Sequence, residues 1–134
     1  MNSVHGSHCV YSLHYHLVLV TRYRHPCITP EVAVRMDEIT KAIIEKNKGE
    51  LLEANGEPDH RHFLLTCPPA VCLSVLVGAI KTATSRVLRR EFASHLRPFY
   101  WKPVFWSRSY CLVSAGGAPL EIIKSYIQDQ GSGA

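Results

Sequence analysis

The chain has 134 residues, 46% of them hydrophobic and 19% charged, which suits one packed globular domain and is too few for two. No apolar run approaches the roughly 18 residues of a membrane helix, so no membrane association is expected. Net charge is +4 but uneven: residues 1–80 carry 7 Lys and Arg against 8 Asp and Glu, residues 81–134 carry 8 against 3, and the basic part suits a polyanionic partner.

Residues 10–21 (VYSLHYHLVLVT) alternate, with Tyr11, Leu13, Tyr15, Leu17 and Leu19 on one face and Ser12, His14 and His16 on the other; the spacing predicts a strand. Thr29, Pro30 and Glu31 read as an N-cap, a first helical residue and a first-turn acid. Val32, Met36, Ile39 and Ile43 follow at helical spacing, and Gly49 stops the helix. Residues 50–56 read as a strand, Pro58-Asp59 breaks it, and residues 60–67 (HRHFLLTC) form another that ends at Pro68-Pro69. A second helix is predicted over 73–92, with Leu73, Leu76, Val77, Ile80, Val87 and Leu88 inside and Lys81, Ser85, Arg86, Arg89 and Arg90 outside. An aromatic, proline-containing loop leads to a strand at 110–115, a Gly116-Gly117 break and a last helix over 119–130. The order βαββαβα predicts an α+β fold: a ferredoxin-like antiparallel sheet with helices on one face plus a C-terminal helix, in a single domain over 1–134. The first ten residues lack the basic start and long apolar stretch of a signal peptide, and five scattered cysteines (Cys9, Cys27, Cys67, Cys72, Cys111) read as free thiols, Cys67 and Cys72 within the core. Both point to a reducing, cytoplasmic location.

Four residues carry the chemistry. Residues i and i+2 of a strand point to one face, so His60 and His62 can offer two imidazoles to one ion. Residues i and i+4 of a helix share a face, so Tyr126 and Gln130 project side by side. Two histidines do not complete a coordination sphere, and Mg²⁺ or Mn²⁺ would favour an oxygen donor such as the Gln130 carbonyl. Such a site suits phosphodiester chemistry, in which an ion neutralises phosphate charge and a tyrosine attacks. The bland alternatives are hydrogen-bonded surface histidines and a Tyr126 half-buried with Ile122, Ile123 and Ile127. The stretch RPFYWKPVFWSRSY interleaves Phe99, Tyr100, Trp101, Phe105, Trp106 and Tyr110 with Arg97, Lys102 and Arg108, a mixture that can stack unpaired bases or staple a loop to the core. The Lys81, Arg86, Arg89, Arg90 face is either a phosphate track or a solvated surface.

The segments YHLVLVTRYRH, PDHRHFLL, KTATSRVLRREF, FWSRSYCLVS and IIKSYIQDQ, in this order over nearly the whole chain, resemble the single-tyrosine HUH transposases of the insertion-sequence 200/605 group. The resemblance implies that His60 and His62 are the histidine pair, Tyr126 the nucleophile and Gln130 the third ligand of a divalent metal ion. It also implies a homodimer that recognises DNA hairpins and cuts single strands to leave a 5′-phosphotyrosine, with composite sites joining the histidines of one subunit to Tyr126 of the other. Lys81, Arg86, Arg89, Arg90, Lys102 and Arg108 are the expected DNA contacts. One position departs from the pattern: the residue between the histidines is usually apolar in the family and is Arg61 here. On the strand Arg61 faces away from the ion, so it must snorkel out or find an acid. A non-catalytic hairpin-binding relative and a small metal-dependent phosphodiester hydrolase are the rival readings.

Overall fold

The computed structural model describes residues 4–5, 10–11, 13–116 and 119–133, with side chains placed over 13–116 and 120–130. In chain order the elements are β1 (Val4–His5), β2 (Val10–Tyr11), β3 (His14–Val20), a 3₁₀ turn (Arg22–Arg24), α1 (Pro30–Lys46), β4 (Glu50–Glu57), β5 (His60–Thr66), α2 (Leu73–Glu91), α3 (Ala93–Leu96), β6 (Cys111–Ser114) and α4 (Pro119–Gly133). Strands β4-β5-β3-β6 form one antiparallel sheet, the order a ferredoxin-like fold requires. The strand expected over 10–21 is divided: Val10–Tyr11 pairs with Val4–His5 as a separate ribbon, and only His14–Val20 joins the sheet. The predicted faces of Tyr11 and Ser12 lie outside the described residues, as do Cys9, Gly117 and Ala118.

Helix α1 begins where its sequence says it should, with the Thr29 hydroxyl accepting from the Val32 amide at 3.2 Å and Pro30 at the first helical position. Its buried line is Val32, Met36, Thr40 and Ile44, at every fourth residue, while Ile39 and Ile43 are only half-buried. At its end Lys48, not Gly49, takes the left-handed conformation (φ 67°). Gly49 is needed for a different reason: a Cβ there would sit 2.4 Å from the Thr66 carbonyl oxygen. Helix α2 buries Leu76, Val77, Ile80, Thr84 and Leu88, with Leu73 and Val87 half-buried.

Strand register sorts the sheet into two faces. Leu17, Leu19, Phe63 and Leu65 point to the side covered by α1 and α2 and are essentially inaccessible, each stabilising the fold by about 1.5–3 kcal/mol. On the opposite side Val18, Val20 and Cys111 meet Val113, Ile123, Tyr126 and Ile127 in a smaller cluster beneath α4. His60 pairs with Val20 and His62 with Val18, so both histidines share the α4 face. Arg61 pairs with Leu19 on the helix-covered face and finds an acid there: its Nε donates to Asp37 Oδ1 at 3.0 Å and its second guanidinium nitrogen to Oδ2, clamping β5 to α1.

Cys27, Cys67 and Cys111 are buried free thiols. Cys72 departs from the expectation of a core thiol: it is exposed, because it occupies the extended residue just before α2, with Ser74 Oγ 3.3 Å away. No described helix is long and apolar enough to cross a membrane.

Candidate active site

The two-residue turn Pro58-Asp59 joins β4 to β5 and sets the first histidine. Asp59 Oδ1 lies 2.8 Å from His60 Nδ1, and Arg24 Nε donates to Asp59 Oδ2 at 2.9 Å. Burial would raise the Asp59 pKa, but the His60 and Arg24 bonds outweigh it and the carboxyl is held below its ordinary value. An ionised carboxylate only accepts, so His60 Nδ1 carries the proton of that bond. Asn55, opposite on β4, does the same for His62: its amide oxygen is 3.3 Å from His62 Nδ1. The His62 Nε2 lone pair accepts from His16 Nδ1 at 2.7 Å, and the two rings stack with centroids 4.9 Å apart. Burial, with His16 nearby, lowers the His62 pKa and keeps the ring neutral.

These tautomers fit a metal ion. Both rings lie on one face with an oxygen behind Nδ1; His62 Nε2 is engaged by His16, so an ion there would take the place of that contact. Among the described residues no cluster of three His, Cys, Asp or Glu side chains is assembled.

Helix α4 packs over β3 and β6 and brings Tyr126 onto that face of the sheet, with Gln130 one turn further on. Both are half-buried, whereas Ile122, one turn earlier, is 49% exposed and leaves the expected core stripe. Each polar tip meets the turn before β6. Ser107 Oγ donates to Gln130 Oε1 at 2.5 Å, and Ser109 Oγ and the Tyr126 hydroxyl share a hydrogen bond of 2.8 Å. Burial raises the Tyr126 pKa, with the Ser109 bond opposing it, so the phenol stays protonated at neutral pH.

That turn is held by Lys81. Its ammonium donates to the carbonyls of Ser107, Arg108 and Ser109 at 2.9, 3.0 and 3.2 Å, and burial, then Arg22, lowers its pKa. The sequence places Lys81 outside among DNA contacts, whereas the fold aims it at this turn. Arg86, Arg89 and Arg108 line an open groove of about 520 Å³ with Arg22 and Trp106, and Lys102 lies at a neighbouring cleft with Arg22 and Arg108. Arg90 is exposed on α2 but lines neither. The aromatic loop divides as its composition allows: Tyr100, Phe105 and Trp106 are buried, and Trp101 is 89% exposed.

The chain matches the family profile described as "Transposase IS200 like" over residues 9–130. The chain belongs to the IS200-like transposases. It is 32% identical over 127 residues to the ISDra2 transposase TnpA of Deinococcus radiodurans, covering 93% of this chain and 89% of that protein. It is 29% identical over 124 residues to the transposase for insertion sequence element IS200 of Salmonella typhimurium, covering 92% and 80%. The crystal structure of a candidate transposase from Deinococcus radiodurans superposes with a TM-score of 0.84 at 32% identity over 95% of this chain and 97% of that one. A REP-associated tyrosine transposase bound to a REP hairpin shares the fold, with a TM-score of 0.58 at 11% identity over 94% and 68%. This family membership places the chain in DNA transposition of insertion sequences, on an α+β fold with the added C-terminal helix.

Residues that sequence reasoning passed over complete the site: Asp59, Asn55 and His16 around the histidines, and Ser107 and Ser109 around α4. Asp59 had a signal, being adjacent to His60; the others depend on strand register and loop path.

Proposed function

We propose that this protein cuts and rejoins single-stranded DNA at insertion-sequence ends through a 5′-phosphotyrosine, acting as a homodimer that recognises DNA hairpins. Tyr126 Oη loses its proton and attacks the scissile phosphorus; the P–O3′ bond breaks, a 3′-hydroxyl leaves, and the 5′-phosphate stays on the tyrosine. A DNA 3′-hydroxyl later displaces the tyrosine, so no nucleotide cofactor is consumed. His60 Nε2, His62 Nε2 and the Gln130 carbonyl would hold Mg²⁺ or Mn²⁺, which when bound neutralises charge on the phosphate. Because the phenol pKa is raised, proton removal needs assistance at neutral pH. Arg86, Arg89, Lys102 and Arg108 offer cations to the strand, and the hairpin held by the REP-associated relative is the kind of ligand this surface would meet. The observation that carries the proposal is the pair of histidines, each with an oxygen on its Nδ1, on the sheet face that also receives the tyrosine helix.

The test is Tyr126→Phe with labelled hairpin-bearing single strands from the DNA flanking the gene. Hairpin binding is expected to persist and the covalent adduct on a denaturing gel to vanish. Binding with no adduct in the wild type would favour the non-catalytic relative. Cleavage that survives the substitution would favour a hydrolase with water as nucleophile.

A further inference from the structure

Tyr23 has no role in the chemistry above, yet the chain distorts to present it. Its backbone is left-handed (φ 61°, ψ 15°), and so is that of Arg24 (φ 54°). A bulky non-glycine residue in this region is uncommon, and such distortion concentrates where a side chain must be aimed. The ring is 46% exposed. It is steadied without being covered: the Arg22 guanidinium and the Lys102 ammonium lie 5.9 and 5.8 Å from its centroid, at the loose end of cation–π contact. Lys102 also reaches the Trp101 ring at 5.5 Å, so cation and aromatic groups alternate along this edge.

The ring forms one wall of a cleft of about 410 Å³ whose other walls include Arg22, Lys102, Arg108, Ser109 and Gln130. That volume is within the range of small-ligand sites. Its composition is specific in kind: one flat aromatic face, three cations, and polar atoms belonging to the loop and helix that carry Tyr126. A base needs a flat partner and a phosphate needs cations, and both are offered within one cleft.

We propose that this cleft binds one unpaired nucleotide of the strand being cut, its base stacked on Tyr23 and its phosphate among Arg22, Lys102 and Arg108, making Tyr23 a substrate-positioning residue. The inference rests on the single-strand reaction proposed above and adds the subsite that would seat the strand beside the tyrosine helix. Stacking tolerates any base, so the subsite orders the strand without reading its sequence.

The test compares two probes of equal length and charge, a thymidine octamer and an octamer of abasic deoxyribose phosphates, on the full chain. Tyr23→Asn removes the ring with a residue that accepts the left-handed backbone. It is expected to weaken thymidine-octamer binding about five- to tenfold and leave abasic-octamer binding unchanged. Tyr23→Trp should retain the preference for bases, and Lys102→Met should weaken both probes alike. Equal losses on both probes for Tyr23→Asn, or no loss on either, would overturn the proposal. Adduct formation by the wild type reports separately on the tyrosine reaction: an adduct together with a Tyr23→Asn protein that binds both probes like wild type removes the subsite and leaves the reaction. A wild type that binds neither octamer overturns the subsite outright.

Discussion

Asp37→Ala tests what Arg61 does between the two histidines. The guanidinium lies on the sheet face covered by α1, and the two side chains are 13% and 26% exposed, so removing the carboxylate strands a mostly buried cation. Breaking a fully buried pair costs about 3–5 kcal/mol, and a hydrogen bond to a charged group contributes about 1.5–3. Partial access to water moves the estimate to the lower range, about 2 kcal/mol. With a urea m-value of about 1.5 kcal/mol/M, the unfolding midpoint should fall by roughly 1.3 M. Arg61→Leu should behave differently. It places an apolar side chain opposite Leu19 and beside the Phe63 layer, and leaves Asp37 near enough to solvent to hydrate, so the loss should stay below about 1 kcal/mol. Since Arg61 points away from His60 and His62, adduct yield per folded molecule should be unchanged in both variants. Urea titrations followed by far-ultraviolet circular dichroism give the midpoints. An Asp37→Ala midpoint equal to wild type, or an Arg61→Leu protein less stable than Asp37→Ala, would refute the reasoning.

Lys81→Met should slow adduct formation at saturating DNA while leaving the salt dependence of hairpin binding unaltered, because its ammonium serves the carbonyls of Ser107, Arg108 and Ser109; a shallower salt slope in the variant would instead make it a phosphate contact. For the protein as a whole, roughly four phosphate contacts by Arg86, Arg89, Lys102 and Arg108 should give a log–log slope of binding against salt of about −3, measured by fluorescence anisotropy, and a slope near zero would contradict a DNA groove. The phenol of Tyr126, taken as the ultraviolet titration difference between wild type and Tyr126→Phe, should ionise above its ordinary value of about 10, and Ser109→Ala should raise it further. The sign follows from burial: the folded state holds this proton more tightly, so its contribution to stability is present below the unfolded pKa and is lost as pH rises through the folded one. Finally, mixing Tyr126→Phe subunits with His60→Ala, His62→Ala subunits should rebuild one composite site and restore an adduct. Mixed dimers that form none would place tyrosine and histidines in the same chain, an arrangement that the docking of α4 on its own sheet makes reachable.

The ferredoxin-like order was legible because the strands alternate at period two and the helices carry caps that behave locally, Thr29 and Pro30 being the clearest. The histidine pair was legible for the same reason, since side-chain parity on β5 needs no tertiary information. What parity does not supply is the partner across the sheet. That Asn55 stands opposite His62 follows from the register set by the two-residue turn, and that His16 reaches the same ring follows from the pairing of β3 with β5. Lys81 looked like a surface cation because it lies off the apolar stripe of α2; its task is set by a loop 26 residues further on. The division of the first strand was hidden because alternation continues unbroken through residues that the sheet does not use.

The two sheet faces differ in how firmly they are closed. The side under α1 and α2 holds most of the inaccessible side chains of the described residues, whereas the cluster beneath α4 is smaller, with serine hydrogen bonds to Gln130 and Tyr126 at its edge. An element on the smaller core is expected to open at lower free energy than the sheet, so α4 amides should exchange with solvent hydrogen faster than those of β3 and β5. The segment that would bear a covalently bound DNA end therefore rests on the lighter of the two cores.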